Sequence, residues 1–167
     1  GYKYLSETHK ADYLRAYFMH FHGGCYSDIK AINDSWIDSY NLLMSDDSKI
    51  AIGYKEVGEW GIAEVEGNPE ITQKMKFFVN NQIGVVAFIF KRMTNFTIEW
   101  YDALYNQMET NIDKLREFPA KHPRQITNGI FQESSFNYGY PFSWNKILAQ
   151  IFQPLVFKYA DKILKTL

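Results

Sequence analysis

The hydrophobic positions of the chain change period several times, and each change marks an element. Over 10–22 they recur at 3.6 residues, with Leu14, Tyr17, Phe18 and Phe21 on one arc and Asp12, Arg15, Met19 and His22 on a separate stripe. The pattern predicts a helix whose apolar arc faces the core and whose stripe is its working side, capped at the start by Ser6 or Thr8. Gly23 and Gly24 supply the left-handed backbone that ends a helix, and 25–28 then reads as a short strand. Asp28 is thereby delivered to a strand's carboxyl end, where ligands collect in open α/β sheets.

Further along, Trp36, Ile37, Tyr40, Leu43 and Met44 predict a helix over 33–44 capped by Asp34 or Ser35, and 49–57 predicts a strand. The stretch 59–70, rich in Gly and Glu, follows no period and reads as a loop near the mouth of the site. A short helix carrying Met75 and Phe78 leads into the apolar run 83–90, a buried strand. Thr94 or Thr97 then caps a long amphipathic helix through Trp100, Leu104, Met108, Ile112 and Leu115, ending at Pro119. The run 120–140, with Pro123, Asn128, Gly129, Asn137 and Gly139, has the composition of a loop able to move over a ligand. Residues 144–152 predict a helix stopped by Pro154, and 155–167 a last segment mixing Val156, Tyr159, Ile163 and Leu164 with three lysines. Helices alternating with strands argue a single α/β domain over 1–167.

Composition narrows the functions available. Of 167 residues 46% are hydrophobic and 17% aromatic, which suffices for a substantial core. A formal net charge of -1 gives no basic field, so phosphate neutralisation along a nucleic acid is not expected. Cys25 is the sole cysteine, which excludes an internal disulfide and a cysteine zinc site and fits a reducing, cytoplasmic compartment. Charges at Lys3, Glu7, Lys10, Asp12 and Arg15 interrupt the first residues, so the start carries no apolar targeting segment, and the longest apolar run is far shorter than the ~20 residues of a membrane helix.

The chemistry concentrates between Asp12 and Lys30. Asp12, Arg15, the Gly23-Gly24 pair, Tyr26 and Asp28 spell D-x-x-R-x7-G-G-x-Y-x-D. This spacing closely resembles the signature of the DXD-motif nucleotide-sugar glycosyltransferases of the GT-A type, which include capsular polysaccharide synthesis proteins, yeast-type mannosyltransferases and glucosylating toxins. The stretches 83–91, 96–105, 140–148 and 151–159 look like successive blocks of the bacterial capsular-synthesis branch, so the likeness covers most of the chain. The resemblance implies a GT-A-like, Rossmann-type fold and a retaining transfer of a sugar from a nucleotide-sugar donor to a glycan or lipid-linked acceptor. It also implies Mg²⁺ or Mn²⁺ at the diphosphate, with Asp28 as the metal ligand and catalytic carboxylate. Such proteins carry a strand-helix-strand unit ahead of the signature, so the chain is expected to lack part of its nucleotide-binding unit.

Three positions depart from the pattern. Lys30 replaces the second aspartate of the motif, Val85 stands where an asparagine is common, and Gln153 where a histidine commonly precedes the proline. An ammonium cannot ligate a cation. Either the metal uses Asp28 with groups from the later blocks, or Lys30 itself neutralises the diphosphate, or the domain is a degenerate one that binds a sugar or a partner protein without transfer.

Each candidate also has a plainer reading. Asp12 and Arg15 form either a surface ion pair of a few tenths of a kcal/mol or, as the resemblance implies, a pair of contacts to sugar hydroxyls. Tyr26 is either a strand aromatic or a neighbour of the donor nucleoside. Trp144 is either core or an aromatic face for the acceptor. His20 and His22 diverge on a helix and cannot share a metal. The lysines of the C-terminal helix either solvate it or hold the protein at an anionic membrane surface.

Overall fold

The computed structural model describes residues 1–30, 35–130, 133–134 and 139–167. Asp34, a candidate helix cap, and Asn137 of the candidate loop lie outside the described residues.

The sequence signals place the first elements where they were expected. Helix α1 spans Glu7–Phe21, and the Ser6 side chain accepts a hydrogen bond from the His9 backbone N–H at its start. Gly23, at φ 67°, lies so close to the 90–92 segment that an added Cβ would stand 2.8 Å from Phe90 O and from Arg92 N, so both its conformation and its position require glycine. The chain then enters strand β1 (Gly24–Ser27). Helix α2 (Ile37–Ser45), strand β2 (Ala51–Lys55), helix α3 (Pro69–Phe77) and strand β3 (Ile83–Phe90) follow. Thr94 and Thr97 form a reciprocal capping box at the start of helix α4 (Asn95–Thr110).

These strands make one mixed sheet in the order β1-β3-β2-β7, where β7 is Ile163–Leu164. β3 lies between β1 and β2 and is antiparallel to both, whereas β2 and β7 run parallel. The fold is therefore α/β with a mixed sheet. Period-two alternation along β3 divides the core: Phe88 and Phe90 join the main cluster with Trp100, Leu104 and Phe152, while Ile89 packs with Leu43 and Ile52 in a smaller one on the α2 side. Phe152 sits 4.9 Å from Trp100, 5.3 Å from Phe88 and 5.4 Å from Phe96, centroid to centroid. Phe152→Ala is expected to cost about 3–5 kcal/mol in urea unfolding, because a fully enclosed aromatic leaves a cavity its neighbours cannot close.

Four expectations are corrected. The arc of α1 carrying Leu14, Tyr17, Phe18 and Phe21 is not the core side: Phe18 and Phe21 are exposed, while Asp12, Arg15, Ala16, Met19 and His20 are buried. The helix expected to end at Pro119 breaks at Asn111 into α4 and a short α5 (Ile112–Glu117), whose Leu115 is buried. The run 120–140 is not all loop, since β4 (Gln125–Ile126), β5 (Gly129–Ile130) and β6 (Glu133–Ser134) form a small antiparallel sheet. Helix α6 (Ala149–Lys158) starts later than Trp144 and runs through Pro154. Burial of Val156 and Tyr159 beyond the proline outweighs the one backbone hydrogen bond the ring removes.

The C-terminal helix ends at Lys158, whose ammonium is bonded to Glu99, and Lys165 folds back onto the carbonyls of Ala160 and Ile163. Two of the three lysines are thus committed within the fold. Among the described residues no helix is long and apolar enough to cross a membrane.

Candidate functional site

The polar stripe of α1 faces the end of the sheet at which β1 finishes and β3 begins. Asp28 lies one residue past β1, and its backbone N–H continues the ladder to Val86 O at 2.8 Å. A cavity of about 650 Å³ opens there. Asp12, Arg15, Tyr26, Asp28, Val85 and Trp144 are among its walls. Four of the residues singled out in the motif, together with Trp144 from more than a hundred positions away, therefore meet in one space.

Arg15 ties that wall together. Its guanidinium donates from Nη1 to the Val85 carbonyl at 2.6 Å and from Nη2 to the Tyr26 hydroxyl at 2.5 Å, and it lies over the Tyr26 ring with Cζ 4.0 Å from the centroid. Nη2 is 3.6 Å from a carboxylate oxygen of Asp12 and 3.6 Å from one of Asp28. The Tyr26 hydroxyl in turn donates to Asp28 Oδ1 at 2.8 Å. Arg15 Nε is buried without a hydrogen-bond partner among the described residues. The departure at Val85 costs the site a polar side chain but keeps the backbone carbonyl that positions Arg15.

The two carboxylates differ in environment. Asp28 is a third exposed, and only Oδ1 takes a hydrogen bond from the described residues, leaving Oδ2 without one among them. Asp12 is buried at the cavity wall, which pushes its pKa up to about 7; the Arg15 charge pulls the other way, and the Asp28 charge adds to the rise. Burial likewise lifts the Tyr26 hydroxyl to about 12, so it remains a donor throughout the physiological range.

Lys30 is exposed and stands outside the cavity walls. Gln153 is also elsewhere: its amide donates to Gly61 O at 2.7 Å and accepts from Ala63 N–H at 2.8 Å, which pins the 59–70 segment to α6. Glu66 fastens the same segment to the loop that carries Trp144, through Ser143 and Lys146. The glutamate-rich stretch thus braces the cavity wall. His20 is buried and stacked on Tyr101 at 5.2 Å, and His22 is exposed, so neither reaches the site.

Sequence reasoning missed His9. It lies one turn before Asp12 on the buried side of α1, accepts at Nδ1 from the Tyr140 hydroxyl at 2.7 Å, and donates from Nε2 to Ser143 O at 3.2 Å. This neutral imidazole holds the 140–144 segment, and so Trp144, against α1. Its burial brings the pKa down to about 4 in spite of the opposing backbone bonds to Ser143 and Trp144.

His9 and Asp12 give opposite pH dependences. A carboxyl raised from 3.8 to about 7 holds a proton in the folded state that the unfolded chain has released. Its stabilising contribution is full below the unfolded value and is lost as pH rises through 7. An imidazole lowered from 6.5 to about 4 contributes above 6.5, and that contribution is lost as pH falls through 4. Between them the slopes offset. Asp12→Asn is expected to leave stability climbing with pH across that window, and His9→Gln to leave it falling. Each slope approaches about 1.4 kcal/mol per pH unit, read by urea unfolding at steps of pH.

A divalent cation can be tested against the donor set. Among the described residues no three His, Cys, Asp or Glu side chains come together to enclose one. Asp28 Oδ2 alone suits Mg²⁺ or Mn²⁺ when phosphate oxygens and water complete the shell, as is usual where these ions bind through one or two carboxylates. Comparison of the chain with family models, with curated proteins and with solved structures gives no match.

Proposed function

We propose that the chain is a sugar transferase of GT-A-like architecture that takes its sugar from a nucleotide-sugar donor and passes it to a glycan or a lipid-linked acceptor. One observation carries the reading: Asp12, Arg15, Tyr26 and Asp28, in the spacing of the DXD-motif transferases, line one wall of a cavity large enough for a sugar diphosphate. Retention of configuration rests on the resemblance.

In this reading the donor's diphosphate lies beside Asp28 and its sugar beside Asp12. A divalent cation held by Asp28 would neutralise the diphosphate, which the carboxylate alone would repel. Arg15 fixes both carboxylates and the Tyr26 hydroxyl, so the wall is set before the donor arrives. Asp12, neutral below about pH 7, can donate as well as accept a hydrogen bond to a sugar hydroxyl. Trp144 offers an aromatic face to the acceptor side. The acceptor hydroxyl attacks the anomeric carbon, the bond to the diphosphate oxygen breaks with its electron pair on the departing nucleoside diphosphate, and the hydroxyl's proton passes to that diphosphate.

A second reading is favoured by the position of Lys30. With the motif's second carboxylate replaced by an exposed lysine outside the cavity, the domain would hold a nucleotide-sugar or glycan without transferring it. Release of nucleoside diphosphate from UDP- and GDP-sugars, with water and with simple glycosides as acceptors, separates the two. Turnover by wild type that Asp28→Asn lacks supports transfer; donor binding with no turnover under any acceptor supports the binding module.

A further inference from the structure

One wall of the cavity comes from outside the motif, from the turn 144–148 with Trp144, Asn145 and Leu148. The fold leaves the Asn145 side chain unused. Its backbone carbonyl accepts from the N–H groups of Leu148 and Gln150, at 3.3 and 3.1 Å, but its amide makes no hydrogen bond with the described residues. An amide carries two donors and an acceptor, and this one is partly buried in a cavity wall with all of them open to a ligand.

The turn is held by residues that stand outside the cavity walls. Glu66 spans it, accepting from Ser143 Oγ at 2.9 Å and from Lys146 Nζ at 2.7 Å, one on each side of the Trp144-Asn145 pair. Gln150 donates to the same carboxylate at 3.2 Å, and His9 holds Ser143 from α1. The pair is therefore set in place before a ligand arrives. Because Glu66 neutralises Lys146, the wall that Trp144 and Asn145 present is uncharged.

We propose that Trp144 and Asn145 seat the acceptor, and that the acceptor is the ring of an uncharged sugar whose hydroxyls Asn145 selects. The proposal rests on the sugar-transfer reading of the cavity and narrows its acceptor. The indole supplies aromatic surface for the C–H face of a pyranose, and the amide supplies hydrogen bonds for hydroxyls beside it. Charge selects against acidic acceptors. Among the described residues Arg15 is the one cation in the cavity walls, and it already lies 3.6 Å from both Asp12 and Asp28. A uronate or a phosphorylated sugar would bring a further negative group beside the donor's diphosphate, with no cation left to answer it.

Titration of the isotope-labelled chain by NMR tests this without requiring turnover. The probes are methyl glycosides of the common neutral hexoses and the matching methyl uronides, each added alone and with UDP or GDP present. At least one neutral glycoside is expected to bind, and its uronide about tenfold more weakly or not at all. Asn145→Ala should weaken the glycoside by about fivefold to tenfold, the loss of one or two hydrogen bonds. It should leave the unfolding midpoint and the affinity for nucleotide-sugars unmoved, since the amide holds nothing in the fold. Absence of glycoside binding, equal binding of the uronide, or glycoside affinity that Asn145→Ala leaves intact overturns the proposal. Donor binding without glycoside binding would remove this subsite and leave the transfer reading standing. Glycoside binding that Asn145→Ala weakens, in a chain that binds no donor, would keep the subsite and remove transfer.

Discussion

Arg15→Ala is expected to abolish donor binding and to destabilise the fold by about 1–3 kcal/mol, the usual cost of leaving buried hydrogen-bonding groups without their partner. Its guanidinium is almost wholly enclosed, and it is the cation nearest to Asp12 and Asp28, at 3.6 Å from each. Without it the Val85 carbonyl and the Tyr26 hydroxyl also lose a donor. Asp12, already raised by burial, loses the charge that opposes the rise and so stays protonated to higher pH. Arg15→Lys discriminates between charge and shape. An ammonium keeps the positive charge but cannot donate in a fork to a carbonyl and a hydroxyl at once. It is therefore expected to recover part of the stability in urea unfolding and little of the donor affinity in calorimetry. Equal recovery of both by lysine would mean that charge alone matters and that the guanidinium fork does not position the wall.

Asp28→Asn is expected to lower donor turnover by a hundredfold or more while costing less stability than Arg15→Ala. The side chain is a third exposed, and the Tyr26 hydroxyl can donate to an amide oxygen as it does to Oδ1. What the amide lacks is the charge that holds a cation against the diphosphate, and electrostatic contributions of this kind are commonly worth a factor of about 10²–10³. Turnover and the unfolding midpoint should be measured on the same preparation. A large drop in midpoint would make Asp28 a structural residue, and unchanged turnover would move the chemistry elsewhere.

The elements with local signals were legible in the sequence. The Gly23-Gly24 stop, the apolar run of β3 and the threonine cap of α4 depend on residues a few positions apart, and each lies where expected. The orientation of α1 was not legible. Periodicity separates an apolar arc from a polar stripe, but which one faces inward is decided by the sheet and by α4, and in this fold the polar stripe is buried because Arg15 satisfies Val85 and Tyr26. Pro154 misled in the same way: it reads as a stop locally, yet the core contacts beyond it keep the helix going. In the site, the spacing of Asp12, Arg15, Tyr26 and Asp28 identified residues that do meet, because a helix, a two-glycine turn and a strand are short enough to fix their geometry. His9 gave no such signal. Its partner Tyr140 is 131 positions away, and nothing beside either residue marks the pair.

The central claim is that the cavity beside Asp28 receives a nucleotide-sugar. Calorimetric titration of UDP- and GDP-sugars into the folded chain, with Mn²⁺ and with chelator, beside Asp28→Ala, tests it most directly. Binding of at least one donor, strengthened by Mn²⁺ and removed by Asp28→Ala, is the expected result. No binding to a folded chain under either condition, or binding that Asp28→Ala leaves intact, would contradict it.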